Sequence, residues 1–129
     1  MKRVVFALLC VSVLCVPAFA AKPIVIGQIA TVTGDFAAYG VAEVESVKIA
    51  VKEINDAGGV LGRPIEVIMY DCRTRQEDMV NAARRLVEQD RVSAVVGPTG
   101  SGICIAGAPV FNRRHVPQVM TLPTNPLVT

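Results

Sequence analysis

The chain reads as an α/β protein, a parallel β-sheet with helices on both faces. Three observations predict this. Apolar runs of strand length recur at 24–30, 65–71, 92–96 and 116–121. Between them lie stretches whose apolar residues return every three or four positions, the period of a helix face. Three of the four joints after the strands are rich in Gly, Ser, Thr and Pro, the residues of turns. Strand–helix alternation implies parallel pairing, because parallel neighbours need a long crossover, and right-handed crossovers place helices on both sides of the sheet.

The 129 residues suffice for one modest domain. A mean hydropathy of +0.48 would suit a membrane protein, but the apolar character is concentrated at the front. Met1-Lys2-Arg3 is a short basic start, followed by the apolar run Val4 to Val16, then Pro17 and Ala18-Phe19-Ala20. This is the three-part layout of a secretory signal, with small residues where a signal peptidase reads. The run is too short to span a bilayer, which takes about 20 apolar residues. Cys10 and Cys15 each follow a Leu rather than a small residue, which argues against a lipid anchor. Residues 1–20 are thus expected to be a signal peptide cleaved after Ala20, with 21–129 the mature domain. Removal takes Lys2 and Arg3 and no acid, so the remaining charges balance. Neither the balanced mature chain nor the whole chain at +2 carries the basic footprint of a nucleic-acid binder.

Ile24 to Ala30 is continuously apolar but for Gly27 and Gln28, as expected for a strand covered on both faces. Thr31 to Gly40 is a turn-rich loop. From Val41 to Asn55 the residues Val44, Val47, Val51 and Ile54 form one helix face, with Glu45, Lys48, Lys52 and Glu53 opposite. Gly58-Gly59 ends that helix. Ile65 to Asp71 is the second strand. Thr74-Arg75-Gln76-Glu77 fits a capping box, opening a helix with the stripe Met79, Val80, Ala83, Leu86 and Val87 that ends near Asp90. Val92 to Val96 is a third strand, stopped by Gly97-Pro98. Ser101 is placed to N-cap a helix from about Gly102 to Asn112. Val116 to Thr121 is a fourth strand, with Pro117 tolerated near its start.

In open α/β sheets ligands bind beyond the carboxyl ends of the strands, so the loops to inspect are 31–40, 72–75, 97–102 and 122–126. Gly97-Pro98-Thr99-Gly100-Ser101-Gly102 lacks the dinucleotide spacing and is followed by no Lys-Ser/Thr pair, so no nucleotide cofactor is expected. What remains is a helix N-terminus with a Ser hydroxyl, suited to a carboxylate or other small anion. His115 stands alone between Arg114 and Val116, and no Cys/His cluster has metal spacing, so no metal is expected. Asp71, His115 and Ser101 form no acid–base–nucleophile set at a workable spacing, so no enzymatic activity is expected. The mature chain keeps Cys72 and Cys104, an even count that in an oxidising compartment makes a bridge reasonable, the alternative being two buried thiols.

With these loops placed, residues 23–129 resemble the N-terminal lobe of a periplasmic solute-binding protein of the branched-chain amino acid type. The resemblance is carried by Ile24-Val25-Ile26-Gly27, Thr33-Gly34, Tyr39-Gly40, and the specific run from Ile54-Asn55-Asp56-Ala57-Gly58-Gly59 through Val60-Leu61-Gly62-Arg63-Pro64-Ile65. It continues through Tyr70-Asp71, Asn81 to Val87, Val95-Val96-Gly97, Val116-Pro117 and Thr124-Asn125-Pro126.

The resemblance implies a periplasmic receptor that captures an amino acid or related small solute, such as a branched-chain amino acid or an amide, and delivers it to the permease of an ABC importer. Within it, Ser101 matches the residue that holds the ligand's α-carboxylate, and Leu122 the backbone carbonyl that accepts from the ammonium. Thr124 matches a further hydroxyl and N–H donor, and Tyr39 the aromatic wall of the side-chain pocket. Thr99-Gly100 stands where such receptors often carry an aliphatic or Cys pair, which takes away apolar pocket wall. The resemblance therefore does not fix leucine, isoleucine or valine as the ligand, and amides, urea-like solutes and aromatic acids stay open beside them. The family's frequent N-lobe disulfide joins places near, though not at, Cys72 and Cys104. Family members trap ligand between two lobes by hinge closure, and the sequence covers one lobe, so a fragment or truncated gene product is expected. A sensory or regulatory ligand-binding domain of the same fold is the alternative reading.

Overall fold

The computed structural model describes residues 22–128, so the expected signal peptide lies outside the described residues. Four strands form one parallel sheet in the order β2-β1-β3-β4: β1 Ile24–Ala30, β2 Ile65–Asp71, β3 Ala94–Val96 and β4 Gln118–Val119. β1 and β2 pair along their whole length, Ile24 opposite Ile65 through Ala30 opposite Asp71. On the other side β1 pairs with β3, Ile26 opposite Ala94, and β3 pairs with β4, Val95 opposite Gln118. The expected parallel α/β architecture is therefore present. The last two strands are shorter than their apolar runs, because only 94–96 and 118–119 find partners.

The three helices are α1 Ala37–Asp56, α2 Gln76–Arg84 and α3 Ser101–Arg114. Alternation along the strands assigns the faces. Ile29, Ile68 and Tyr70 point with Val25 into a core that includes Met79, Ala82, Ala83 and Leu86 from the α2 segment, and Ile103, Val110 and Phe111 from α3. Gln28, Val67 and Met69 point the other way, toward Val44, Val47 and Val51 of α1. The packed core thus lies on the face with two helices. α2 runs on into a five-residue π-helical turn, Arg85–Gln89, that delivers Leu86 fully buried against Gly27 of β1.

Helix ends depart from the sequence expectation in three places. α1 starts at Ala37 rather than Val41, so Tyr39 and Gly40 lie inside its first turn. A Cβ on Gly40 would lie 2.4 Å from the Thr31 carbonyl; the glycine lets the helix rest on the end of β1 and is no breaker here. The capping box does not form: Arg75 is the N-cap of α2, without a side-chain cap bond. Thr74 sits at a φ of 58°, and its hydroxyl reaches across to donate to the Thr33 carbonyl at 3.3 Å. Gly100, at a φ of 105°, is the N-cap of α3, and Ser101 is its first residue.

The Asn55 to Ile65 run is structural. The Asn55 side chain donates to the Ile65 carbonyl at 2.9 Å and accepts from the Ile65 N–H at 2.7 Å, fastening the end of α1 to the start of β2. Arg63 then donates to the carbonyls of Lys22 and Pro23, pinning the approach to β1.

Candidate functional site

All four strands point their carboxyl ends the same way, so the loops after them share one rim. The first two are cross-linked by polar groups. The Thr33 hydroxyl donates to Asp71 Oδ2 at 2.6 Å, and Asp71 Oδ1 accepts the Arg73 N–H at 2.9 Å. The last two meet at Ser101, whose Oγ accepts from the N–H of Thr124 at 3.0 Å and of Asn125 at 3.2 Å. The hydroxyl expected to cap its own helix instead holds the loop after β4, because as first helical residue its side chain projects toward that loop.

Tyr39, Ser101, Leu122 and Thr124 line one open cleft of about 360 Å³, together with Phe36, Thr99 and Gly100. The Phe36 and Tyr39 rings meet edge to face, with centroids 6.4 Å apart. Tyr39 is 57% exposed and Leu122 61%. Large apolar groups so exposed around a polar floor are what a binding surface presents. A neighbouring hollow of about 560 Å³ shares Tyr39, Thr99 and Leu122 and extends along α1 to Glu43, Ser46 and Val47, and to Thr121.

Sequence reasoning missed Glu43. It is 8% exposed, and its Oε2 accepts the hydroxyls of Thr99 at 3.1 Å and Thr121 at 3.0 Å. Burial pushes its carboxyl above the ordinary range, against the smaller opposing pull of the two threonines. A signal was present, since Gly40, Glu43, Val44 and Val47 share one helical stripe, and an acid in an otherwise apolar stripe is itself informative.

Cys72 and Cys104 are both buried free thiols, so the bridge considered from the sequence is not formed in this structure. Cys72 belongs to the core beneath α2, while the Cys104 thiol donates to the Pro98 carbonyl at 3.3 Å. Burial pushes each thiol up to about 11, which keeps both neutral and unreactive at ordinary pH. His115 is exposed and takes the left-handed position that ends α3, with a φ of 54°.

Comparison with known proteins matches residues 23–128 to a family described as periplasmic binding protein. An amino acid binding protein of Pseudomonas aeruginosa is 31% identical over 128 residues, 99% of this chain and 34% of its own length. The Leu/Ile/Val-binding protein BraC3 of Rhizobium johnstonii is 37% identical over 106 residues, 82% of this chain and 29% of its own. Among solved structures, the branched-chain amino acid transporter substrate binding protein LivJ from Streptococcus pneumoniae, in complex with isoleucine, superposes with a TM-score of 0.81. It is 37% identical, and the match covers 83% of this chain and 31% of that one. The chain therefore spans about a third of the length of the relatives it matches.

Proposed function

Because the chain belongs to the periplasmic binding protein family, we propose that it is a receptor lobe for a small carboxylate-bearing or amide-bearing solute, presented to the permease of an ABC importer. An exported location follows from the family, and residues 1–20 serve as the cleavable signal that brings the chain there. The reading is carried by one observation: Tyr39 from the first turn of α1, Ser101 from the start of α3, and Leu122 and Thr124 from the loop after β4 border a single cleft. No bond is made or broken in this function. The lobe binds reversibly, and a second wall supplied by the remaining two thirds of a receptor would close over the solute.

The chemistry follows from the loop geometry. Two backbone N–H groups, of Thr124 and Asn125, converge on the Ser101 oxygen. A carboxylate oxygen is a stronger acceptor than a neutral hydroxyl. It takes those donors over, accepts a hydrogen bond from the Ser101 hydroxyl, and gains from the N-terminus of α3. The Leu122 carbonyl is left to accept from an amino or amide N–H, and Tyr39 covers the solute's body.

The test is titration of the ¹⁵N-labelled chain with L-isoleucine, L-glutamine, acetamide and benzoate in turn. A cleft with one wall buries little of a ligand, so affinity near about 1 mM is expected. Amide shifts at Gly100 to Gly102 and Leu122 to Asn125, lost in Ser101→Ala, support the reading, and the solute that produces them names the class. Silence of these amides toward all four solutes overturns it.

A further inference from the structure

Glu43 is a carboxylate without a cation. Its Oε2 is satisfied by two threonine hydroxyls, whereas Oε1 is buried and has no hydrogen-bond partner among the described residues. Oε1 and the Ile29 carbonyl oxygen crowd the same point above Gly97. A Cβ placed there would lie 2.1 Å from the first and 2.3 Å from the second. Two acceptor oxygens that crowd one point in a buried site repel unless one carries a proton.

Among the described residues no positive charge acts on Glu43. From α1 itself the nearest lysine, Lys48, is exposed and paired with Glu45 at 2.6 Å. β1 offers the Ile29 carbonyl, the loop after β3 offers Gly97 and Thr99, and the loop after β4 offers Thr121. The segment after β2 and helix α3 contribute the neutral thiols of Cys72 and Cys104, and the charges acting on those thiols are the acids Asp71 and Glu43. No Lys, Arg or His is among the groups acting on Glu43.

We infer that Glu43 is a positioning residue of the cleft: as the protonated acid it draws Thr99 and Thr121 together through one oxygen and donates from the other to the Ile29 carbonyl. This fixes the spacing of the two loops that carry Ser101 and Thr124. The inference rests on the solute-binding reading only for its purpose; the clamp itself is a property of the unliganded chain. Thr99 lies two residues before Ser101, and Thr121 three before Thr124, so a change at the carboxyl is felt at both ligand-reading loops. The sign of the pH effect follows. A carboxyl held above its ordinary range adds stability that is complete below the unfolded value and is lost as pH rises through the folded one. The glutamine isostere keeps an N–H to donate to Ile29 and an oxygen to accept the threonines at every pH.

The experiment follows Glu43 Cδ by ¹³C NMR in the full 129-residue chain from pH 3.5 to 8.5, with the loop amides recorded alongside. The expected midpoint lies above the ordinary glutamate value of about 4.3, and the amides of Gly100, Ser101, Leu122 and Thr124 move with that midpoint. In Glu43→Gln this loop titration disappears, and thermal stability at pH 7.5 exceeds wild type by a margin that closes near pH 4. Thr121→Val, which takes one donor from the charged form, raises the Glu43 midpoint further and serves where the glutamine variant does not fold. An ordinary midpoint overturns the inference, as do loop amides that stay flat through the Glu43 titration or keep titrating in Glu43→Gln. Loop amides that follow Glu43 while no solute perturbs Ser101 uphold the clamp and bring down the solute reading instead.

Discussion

At the scale of single residues, the cleft is made by what is left out as much as by what is present. Gly97 follows β3 at a φ of 84°, with the Glu43 carboxyl and the Ile29 carbonyl closing over its Cα. Any side chain there meets two oxygens that are both needed, in a backbone conformation that L-residues rarely adopt. Gly97→Ala is expected to cost at least about 3 kcal/mol in urea unfolding, more than the same change at Gly102, where the nearest atom is the flexible end of Gln76 at 3.4 Å. Equal costs at the two glycines would remove the crowding argument. The sequence marked Gly97 as a strand stop, and it is one, but the pressure from Glu43 was invisible there. That contact joins residues 54 positions apart across the sheet, and no local spacing encodes it. Ser101 was legible as a residue of the cleft rim for the reason that loops after parallel strands converge. Its partner was not legible, because the N–H groups it holds come from a loop beyond another strand.

Elements were read best where strand pairing is continuous along the whole run. β1 and β2 begin and end where their apolar runs do, since every residue of one pairs with a residue of the other and the pattern has no slack. α2 shows the opposite case. Its stripe was visible, yet the helix changes character at Arg85, and the five residues from there take a π-helical turn. That turn seats Leu86 against Gly27, where a Cβ would come within 2.7 Å of the leucine side chain. The close fit of a bulky side chain on a bare strand position joins helix to sheet. Leu86→Ala should therefore cost about 3 kcal/mol by chemical denaturation, while Leu61→Ala, at 95% exposure, stays within about 0.5 kcal/mol. A Leu86→Ala variant as stable as Leu61→Ala would show that the strand relaxes to fill the gap and that the fit is not what holds α2.

Across the whole molecule, the two faces of the sheet are unequal, and the cleft belongs partly to the weaker one. The α2 and α3 side holds the continuous core from Ile29 through Leu86 to Phe111. On the other side α1 buries only Gly40, Glu43 and Val44 of its twenty residues, and an apolar groove of about 380 Å³ lies between it and Gln28, Val67 and Met69. Few buried contacts and exposed helical hydrogen bonds mark an element that opens before the rest. Tyr39 and Glu43 both ride on α1, so the aromatic wall and the clamp of the cleft stand on the thinly packed face, while Ser101 stands on the packed one. Amide hydrogen exchange should place residues 41–54 at least about tenfold faster than 79–86 and 103–111, a gap of about 1.4 kcal/mol in opening free energy. The amides nearest Glu43 should be the slowest within α1, because its carboxyl ties the first turns to β3 and β4 through Thr99 and Thr121. Exchange of α1 as slow as that of α3 would mean that the thin face is held as firmly as the packed one, and that the cleft sits on a single rigid body. The faster exchange expected here instead makes α1 the part of the lobe that adjusts to a solute, with Glu43 as its pivot.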